Sequence, residues 1–180
     1  VGAGAVGFYL ARRLAEESHE VTIVDPDPDK VRRVTNNLDV LAIKGNGAAI
    51  PILEEAGLAD AEILMAVSGS DEVNLVACLV ASQRGVRVKV ARISHPEYYS
   101  SQSVLSREDL GVDLMIGPEQ ECAWEAFGLL TTSAATDLAR FAGGKVQLVG
   151  MKVLPGAPVV GKSVSQLDQQ VGDLPFVLAA

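Results

Sequence analysis

Short apolar segments alternate with longer segments whose apolar residues recur at helical spacing over most of the first 135 residues. The apolar segments predict buried parallel strands, because they are rich in valine and isoleucine and are bounded by turn residues. Predicted strands lie at 21–24, 40–43, 63–67, 86–93 and 114–116. Predicted helices lie at 5–17, 28–36 and 49–56, from 71 past 80, from Pro96 to about 110, and at 119–132. This order predicts an α/β fold, a Rossmann-like doubly wound parallel sheet.

The pattern changes after Ala135. A predicted strand of mixed polarity at 146–153, a loop with two prolines and a short helix at 164–167 follow. We therefore expect a Rossmann-like domain at 1–140 and the start of a small α+β domain at 141–180, with the boundary between 136 and 145. The chain has no initial Met and ends on an apolar run, so we expect a fragment whose first strand is truncated.

Composition narrows the possible functions. A net charge of −8 argues against general nucleic-acid binding and against docking on an anionic membrane. Aromatic residues make up only 4 % of a chain that is 48 % hydrophobic, which predicts an aliphatic core. Cys78 and Cys122 lie in separate predicted helices without a C-x-x-C spacing. We expect two reduced, buried thiols and no metal site.

The first seven residues carry a glycine motif, G-x-G-x-x-G, formed by Gly2, Gly4 and Gly7. The first glycine permits a tight turn, the second lets a pyrophosphate approach the backbone, and the third lets the helix pack closely. The phosphates would lie at the helix N-terminus, where free N–H groups favour negative charge. Asp25 ends the next predicted strand, where a carboxylate can accept hydrogen bonds from ribose hydroxyls. The motif, the helix, the strand and the acid together predict a nucleotide site.

The other predicted strands also end in small polar residues. In a doubly wound sheet, ligands bind at the carboxyl ends of the strands. The candidates at these ends are Asn46 and Gly47, Ser68 and Gly69, and Arg92. The amide of Asn46 and the hydroxyl of Ser68 suit an adenine edge or a ribose, and Arg92 suits a phosphate. Each glycine taken alone is equally consistent with an ordinary turn.

Two further features concern the helices. Asp71 is expected to cap the helix that it begins. Trp124, Phe127 and Leu130 recur every three residues on the last long helix. This stripe predicts either packing on the chain's own sheet or packing on a second subunit.

The motifs resemble a known family. The segments VGAGAVG, VTIVD, KGNG, AVSGSDEVNLVACLVA, VARISHPEY and GVDLMIGPEQ occur in this order. Together they are similar to the N-terminal nucleotide-binding domain of Trk potassium-uptake regulators (TrkA proteins), of the regulator-of-potassium-conductance (RCK) class. The segment MKVLPGAPVVGKSVSQL resembles the start of that family's C-terminal ligand domain.

The resemblance implies a cytoplasmic regulatory subunit that gates a potassium uptake system at the inner face of the membrane. It implies a homo-oligomer, in which dimers build a ring under a membrane transporter subunit, and a ligand that is NAD or NADH, or ATP or ADP. Relatives that favour ATP often have Arg in the glycine loop where this chain has Ala5, which favours NAD(H). The implied ligand contacts are Gly2, Ala3, Gly4, Ala5, Val6, Asp25, Asn46, Gly47, Ser68, Gly69 and Arg92.

Two other functions remain open. One is an NAD-dependent oxidoreductase whose substrate domain lies beyond residue 180, and the other is an assembly module with a vestigial site. The sequence shows no Ser/His/Asp arrangement, no Tyr-x-x-x-Lys and no His–Asp pair suited to proton transfer. We therefore predict a regulatory protein that is not an enzyme.

Overall fold

The computed structural model describes residues 1–98, 104–131, 135–141, 145–164 and 166–167. Its helices are α1 Ala5–Glu16, α2 Pro28–Asn37, α3 Ile50–Glu55, α4 Asp71–Gln83 and α5 Pro118–Thr131. Its strands are β1 Thr22–Asp25, β2 Leu41–Lys44, β3 Ile63–Ala66, β4 Val88–Arg92, β5 Leu114–Ile116, β6 Ala135–Phe141 and β7 Val146–Met151. Contacts divide the chain into two compact units, Val1–Cys122 and Ala123–Ala180. Among the described residues, no helix combines the length and apolar character required to cross a membrane.

Two groups of parallel strands are joined by the first two residues of the chain. β1 pairs with β2, and β4 pairs with both β3 and β5. The Val1 nitrogen donates to the Met65 carbonyl (2.8 Å), and Val67 N–H donates to the Val1 carbonyl (2.9 Å). On the other side, Gly2 N–H donates to the Val24 carbonyl (2.8 Å). The backbone of Val1 and Gly2 therefore lies between β1 and β3, which gives the strand order of a doubly wound sheet and confirms the predicted fold class.

Two separate hydrophobic clusters hold helices against these strands. One cluster joins α1 and α2 to β1 through Ala11, Ile23 and Val34. The other cluster joins α3 and α4 to β3 and β4, with Leu53 and Ile93 among its fully buried side chains. The cores are aliphatic, as the composition predicts, and both lie beside the strand ends that carry the candidate site.

The start of α4 differs from the prediction in one residue. Ser70 is the N-cap, and its Oγ accepts the Val73 N–H (3.3 Å). Asp71 is the first helical residue, so its predicted role as the cap is wrong. The Asp71 carboxylate instead accepts hydrogen bonds from the segment that follows β4, described below.

The predicted helix from Pro96 to about 110 is wrong over the residues that can be compared. Pro96–Tyr98 forms one 3₁₀ turn, residues 99–103 lie outside the described part, and residues 104–111 form bends and turns. Ser106 and Asp109 exchange hydrogen bonds between their side chains and backbone N–H groups, which closes a local turn. Such local bonding competes with a continuing helix.

In the second unit, β6 and β7 form an antiparallel pair in which Phe141 lies opposite Val146. β7 confirms the predicted strand over 146–151 but not over 152–153, whereas β6 was not predicted. The short helix expected at 164–167 includes Ser165, which lies outside the described residues, as does the apolar run at 176–180. The domain boundary at 140 and 141 stays a prediction.

Candidate functional site

The glycine loop is shaped by three different constraints. Gly2 has φ +97°, and a Cβ there would lie 2.8 Å from the Ser68 backbone. A Cβ on Gly7 would overlap the Gly2 carbonyl oxygen, so this glycine lets α1 pack against the loop. A Cβ on Gly4 would meet no atom of the described residues within 4 Å. Gly2 and Gly7 are therefore required by the protein's own packing, while the open side of Gly4 is the surface that a ligand can approach.

The start of α1 offers free hydrogen-bond donors. Gly4 is the N-cap of this helix, which has no side-chain cap and no acidic residue in its first turn. Phe8 N–H is the first to find a helical partner, the Gly4 carbonyl (2.9 Å). Among the described residues, no hydrogen bond uses the N–H groups of Ala5, Val6 and Gly7. Three donors at a helix N-terminus suit the oxygens of a phosphate.

Asp25 lies beside the same loop and is only 4 % exposed. Its Oδ2 accepts the Ala3 N–H (2.7 Å), and its Oδ1 accepts the Asp27 N–H (2.9 Å). Lys30 Nζ lies 4.0 Å from Asp25 Oδ2 and 4.0 Å from Asp27 Oδ2, so this corner keeps a net negative charge. Asp25 thus fixes the glycine loop and keeps further lone pairs on its oxygens.

Asn46 and Gly47 form a turn after β2. Asn46 is exposed, and its Oδ1 accepts the Ala48 N–H (2.9 Å). Gly47 is buried, and a Cβ there would overlap the Val1 side chain. Packing against Val1 therefore explains why residue 47 is a glycine, independently of the predicted approach of a ligand.

Ser68 and Gly69 follow β3. The Ser68 hydroxyl donates to Asn74 Oδ1 (2.7 Å) and accepts the Ser70 N–H (3.2 Å). The hydroxyl proton is thus used in a hydrogen bond within the protein, so the hydroxyl has little hydrogen-bonding capacity left for a ligand. Within the described part of the chain, a Cβ on Gly69 would meet no atom within 4 Å, so this backbone, like that of Gly4, is open. Asn74 was not among the predicted site residues, although the segment SDEVN that contains it is part of the family motif.

Arg92 ends β4 and reaches the start of α5. Its Nη2 donates to Glu119 Oε1 (2.7 Å), and its Nε is buried without a partner among the described residues. Hydrogen bonds from the Glu119 backbone N–H and from Arg92 hold the pKa of Glu119 below its usual value. Arg92 is thus a cation at the edge of the site that already has a carboxylate partner.

The structure brings together a His–Asp pair that sequence reasoning excluded. Asp71 Oδ2 lies 2.7 Å from His95 Nδ1 and also accepts the His95 N–H (2.8 Å). The Asp71 carboxylate accepts the Ser94 N–H as well. Burial opposes ionisation of Asp71, but these hydrogen bonds outweigh it and lower the pKa of Asp71. The hydrogen bond to Asp71 and its charge raise the pKa of His95.

This pair should make stability depend on pH. A raised histidine pKa contributes stability that is complete below about pH 6.5 and is lost as pH rises through the folded-state pKa of His95. The lowered pKa of Asp71 contributes stability that is present above about pH 4 and is lost as pH falls through the folded-state pKa of Asp71. The difference in melting temperature between wild type and His95→Gln should therefore be largest between about pH 4 and 6.5 and smaller at pH 8. His19→Gln, at another exposed histidine, is the control; a His95→Gln difference that stays constant with pH would contradict this expectation.

The cysteines and acids suggest no further chemistry at this site. Cys78 is buried, and burial raises the pKa of its thiol to about 12, so it remains protonated. Cys122 is exposed, and the expectation that both thiols are buried was wrong. Within the described ranges, no group of three or more His, Cys, Asp or Glu side chains is arranged to hold a metal ion.

Comparisons with known sequences agree with the motifs. A family model described as the TrkA-N domain matches residues 1–118. The Trk system potassium uptake protein TrkA homolog of Archaeoglobus fulgidus is 37 % identical over 166 residues, covering 92 % of this chain and 37 % of that protein. The Trk system potassium uptake protein TrkA of Azorhizobium caulinodans is 39 % identical over 182 residues, covering 99 % and 40 %. The chain thus spans about two fifths of the length of these relatives.

Solved structures show the same fold. The TrkA-N domain of the inner membrane protein ybaL from Escherichia coli matches with a TM-score of 0.62 at 21 % identity, covering 72 % of this chain and 92 % of that chain. The GsuK channel bound to NAD matches with a TM-score of 0.56 at 18 % identity, covering 74 % and 23 %. At these identities the likeness establishes the Rossmann-like fold.

Proposed function

The chain belongs to the TrkA-N domain family, and we propose that it binds NAD or NADH as the regulatory part of a potassium uptake system. The observation that supports the ligand most directly is the arrangement around the glycine loop. Three N–H groups of α1 that have no partner among the described residues lie next to an open Gly4 backbone, and the buried carboxylate of Asp25 is hydrogen-bonded to the same loop. A ribose at the acid and a pyrophosphate at the helix start together match the ADP moiety that NAD(H) contains.

The choice of ligand rests on the loop and on a relative. Ala5 provides no cation for a third phosphate, which favours NAD(H) over ATP. A solved channel of the same fold is described as bound to NAD. Ala3, Val6, Asn46 and Gly47 would line the adenosine half of this site, and Ser68, Gly69 and Arg92 the other half.

The proposed regulatory role is supported by the similarity to two Trk system potassium uptake proteins. In this proposal the protein is cytoplasmic, assembles from dimers into a ring and acts on a membrane potassium transporter subunit. A nucleotide can open or close the transporter through the ring only if it binds one ring conformation more tightly than another. The C-terminal segment from residue 141 would begin the second ligand domain of that protein.

NADH should bind much more tightly than NADPH. Asp25 and Asp27, with Lys30 between them, leave net negative charge where an adenine ribose would lie, so a 2′-phosphate meets repulsion. We expect NADPH to bind roughly 10- to 100-fold more weakly, which is about 1.4–2.7 kcal/mol. Isothermal titration calorimetry of the two nucleotides on the wild-type protein is the direct measurement. Asp25→Ala is a poor substitute, because it also removes the hydrogen bond that fixes Ala3.

The titration also separates the competing functions. Equal affinities for NADH and NADPH would contradict the role of Asp25, and no binding of any nucleotide would favour the assembly module with a vestigial site. The Asp71–His95 pair is one acid–base group that an oxidoreductase, the alternative function, could use. Loss of NADH absorbance with a small carbonyl compound, abolished by His95→Gln, would support that alternative; we expect NADH to stay unconsumed.

A further inference from the structure

The Asn74 side chain makes four hydrogen bonds to residues at the ends of β3 and β4. It is fully buried in the first turns of α4. Its Oδ1 accepts both the N–H (3.0 Å) and the hydroxyl (2.7 Å) of Ser68. Its Nδ2 donates to the carbonyls of Ser68 (3.2 Å) and Arg92 (2.8 Å). These partners fix the orientation of the amide and use its full hydrogen-bonding capacity.

The two partners belong to neighbouring strands at the carboxyl edge of the sheet. Ser68 follows β3 and lies against Gly2 of the glycine loop, since a Cβ on Gly2 would come within 2.8 Å of its backbone. Arg92 ends β4, which pairs with β3. Asp25 lies on the opposite side of the glycine loop, at the end of β1. Asn74 therefore ties together only one half of the candidate site, the half that Asp25 does not reach.

A dinucleotide occupies a doubly wound sheet as two mononucleotide halves. We propose that Asn74 is a positioning residue for the second half: it sets the spacing of Ser68 and Arg92, and so determines binding of the part of a dinucleotide beyond its AMP portion. This inference rests on the proposed binding of NAD(H). The new element is that separate parts of the domain hold the two halves of the ligand. α1 and Asp25 hold the AMP portion, and α4 holds the remainder through Asn74.

A merely structural asparagine would behave differently. Loss of a buried hydrogen-bonded side chain that only stabilises the domain would weaken every ligand alike, because all depend on the folded fraction. Loss of a residue that spaces Ser68 and Arg92 should weaken NADH and spare AMP. The ratio of the two affinities is therefore a readout that general destabilisation does not change.

Asn74→Asp tests this with little change of shape. It keeps the Oδ1 acceptor for Ser68 but replaces the donor Nδ2 with an oxygen that faces two carbonyls. We expect the affinity for NADH to fall at least ten-fold and the affinity for AMP to change less than two-fold, both measured by calorimetry. Asn74→Ala, which introduces no charge, serves if the aspartate variant does not fold. Asn37→Asp, at an exposed asparagine of α2, is the matched control and should change neither affinity.

The outcomes separate the two claims. Equal losses of NADH and AMP binding in a folded Asn74 variant, or no loss of either, would overturn the positioning role while leaving nucleotide binding intact. A wild-type protein that binds neither ligand would overturn the proposed function, and the positioning role with it.

Discussion

Gly7→Ala should destabilise the domain by about 2–4 kcal/mol and remove NADH binding. The added Cβ would overlap the Gly2 carbonyl oxygen, so the glycine loop and α1 have to separate. The N–H donors at the start of α1 would then no longer be positioned to bind the phosphates. Chemical unfolding gives the loss of stability, and calorimetry gives the loss of binding.

Gly4→Ala is the matched comparison. Gly4 has φ −66°, which alanine adopts freely, and an added Cβ would meet none of the described protein atoms within 4 Å. This variant should unfold at nearly the wild-type denaturant concentration but bind NADH more weakly, since the methyl group occupies space that a pyrophosphate needs. A Gly7→Ala protein as stable as Gly4→Ala, or a Gly4→Ala protein with wild-type affinity, would contradict the different roles assigned to the two glycines.

The sequence predicted the parts of the fold that short-range patterns control. The strands of the parallel sheet are short apolar segments between turns, and the glycine motif places a strand, a turn and a helix in order. The helix after Pro96 was mispredicted, because local bonding between Ser106 and Asp109 competes with helical pairing there. β6 was missed because Asp137 and Arg140 interrupt its apolar character and it is defined by pairing with β7.

The candidate site divides in the same way. Asp25 and the glycine loop were predicted because a known spacing connects them. The internal partners of Ser68 and the Asp71–His95 pair were not predicted, because each joins residues that approach only after β3, α4 and β4 have packed together. A side chain at a strand end can serve a ligand or hold a neighbouring segment, and sequence position alone does not separate these roles. Asp25 shows that one carboxylate can both hold a neighbouring segment and remain suited to a ligand.

Trp124→Ala should weaken self-association by about 2–4 kcal/mol while leaving nucleotide binding unchanged. Trp124 and Phe127 are 51 % and 55 % exposed and meet edge to face, with ring centroids 6.4 Å apart. Leu130, the third member of the predicted stripe, is 84 % exposed. This exposure favours the interpretation that the stripe packs on a second subunit, where large aromatic residues carry much of the binding energy.

Light scattering over a range of concentrations, with NADH titration in parallel, measures both properties. Tyr9→Ala, at a 54 % exposed aromatic residue of α1, is the control and should leave association unchanged. A wild-type protein that is monomeric at tens of micromolar, roughly where a stable homodimer persists, would reject the second-subunit interpretation. A Trp124→Ala protein that remains oligomeric but loses its fold would do the same, because the indole would then belong to the chain's own core. If the mutant is instead a folded monomer that still binds NADH, nucleotide binding and assembly are separable, and regulation must come from a difference in nucleotide affinity between the assembled states.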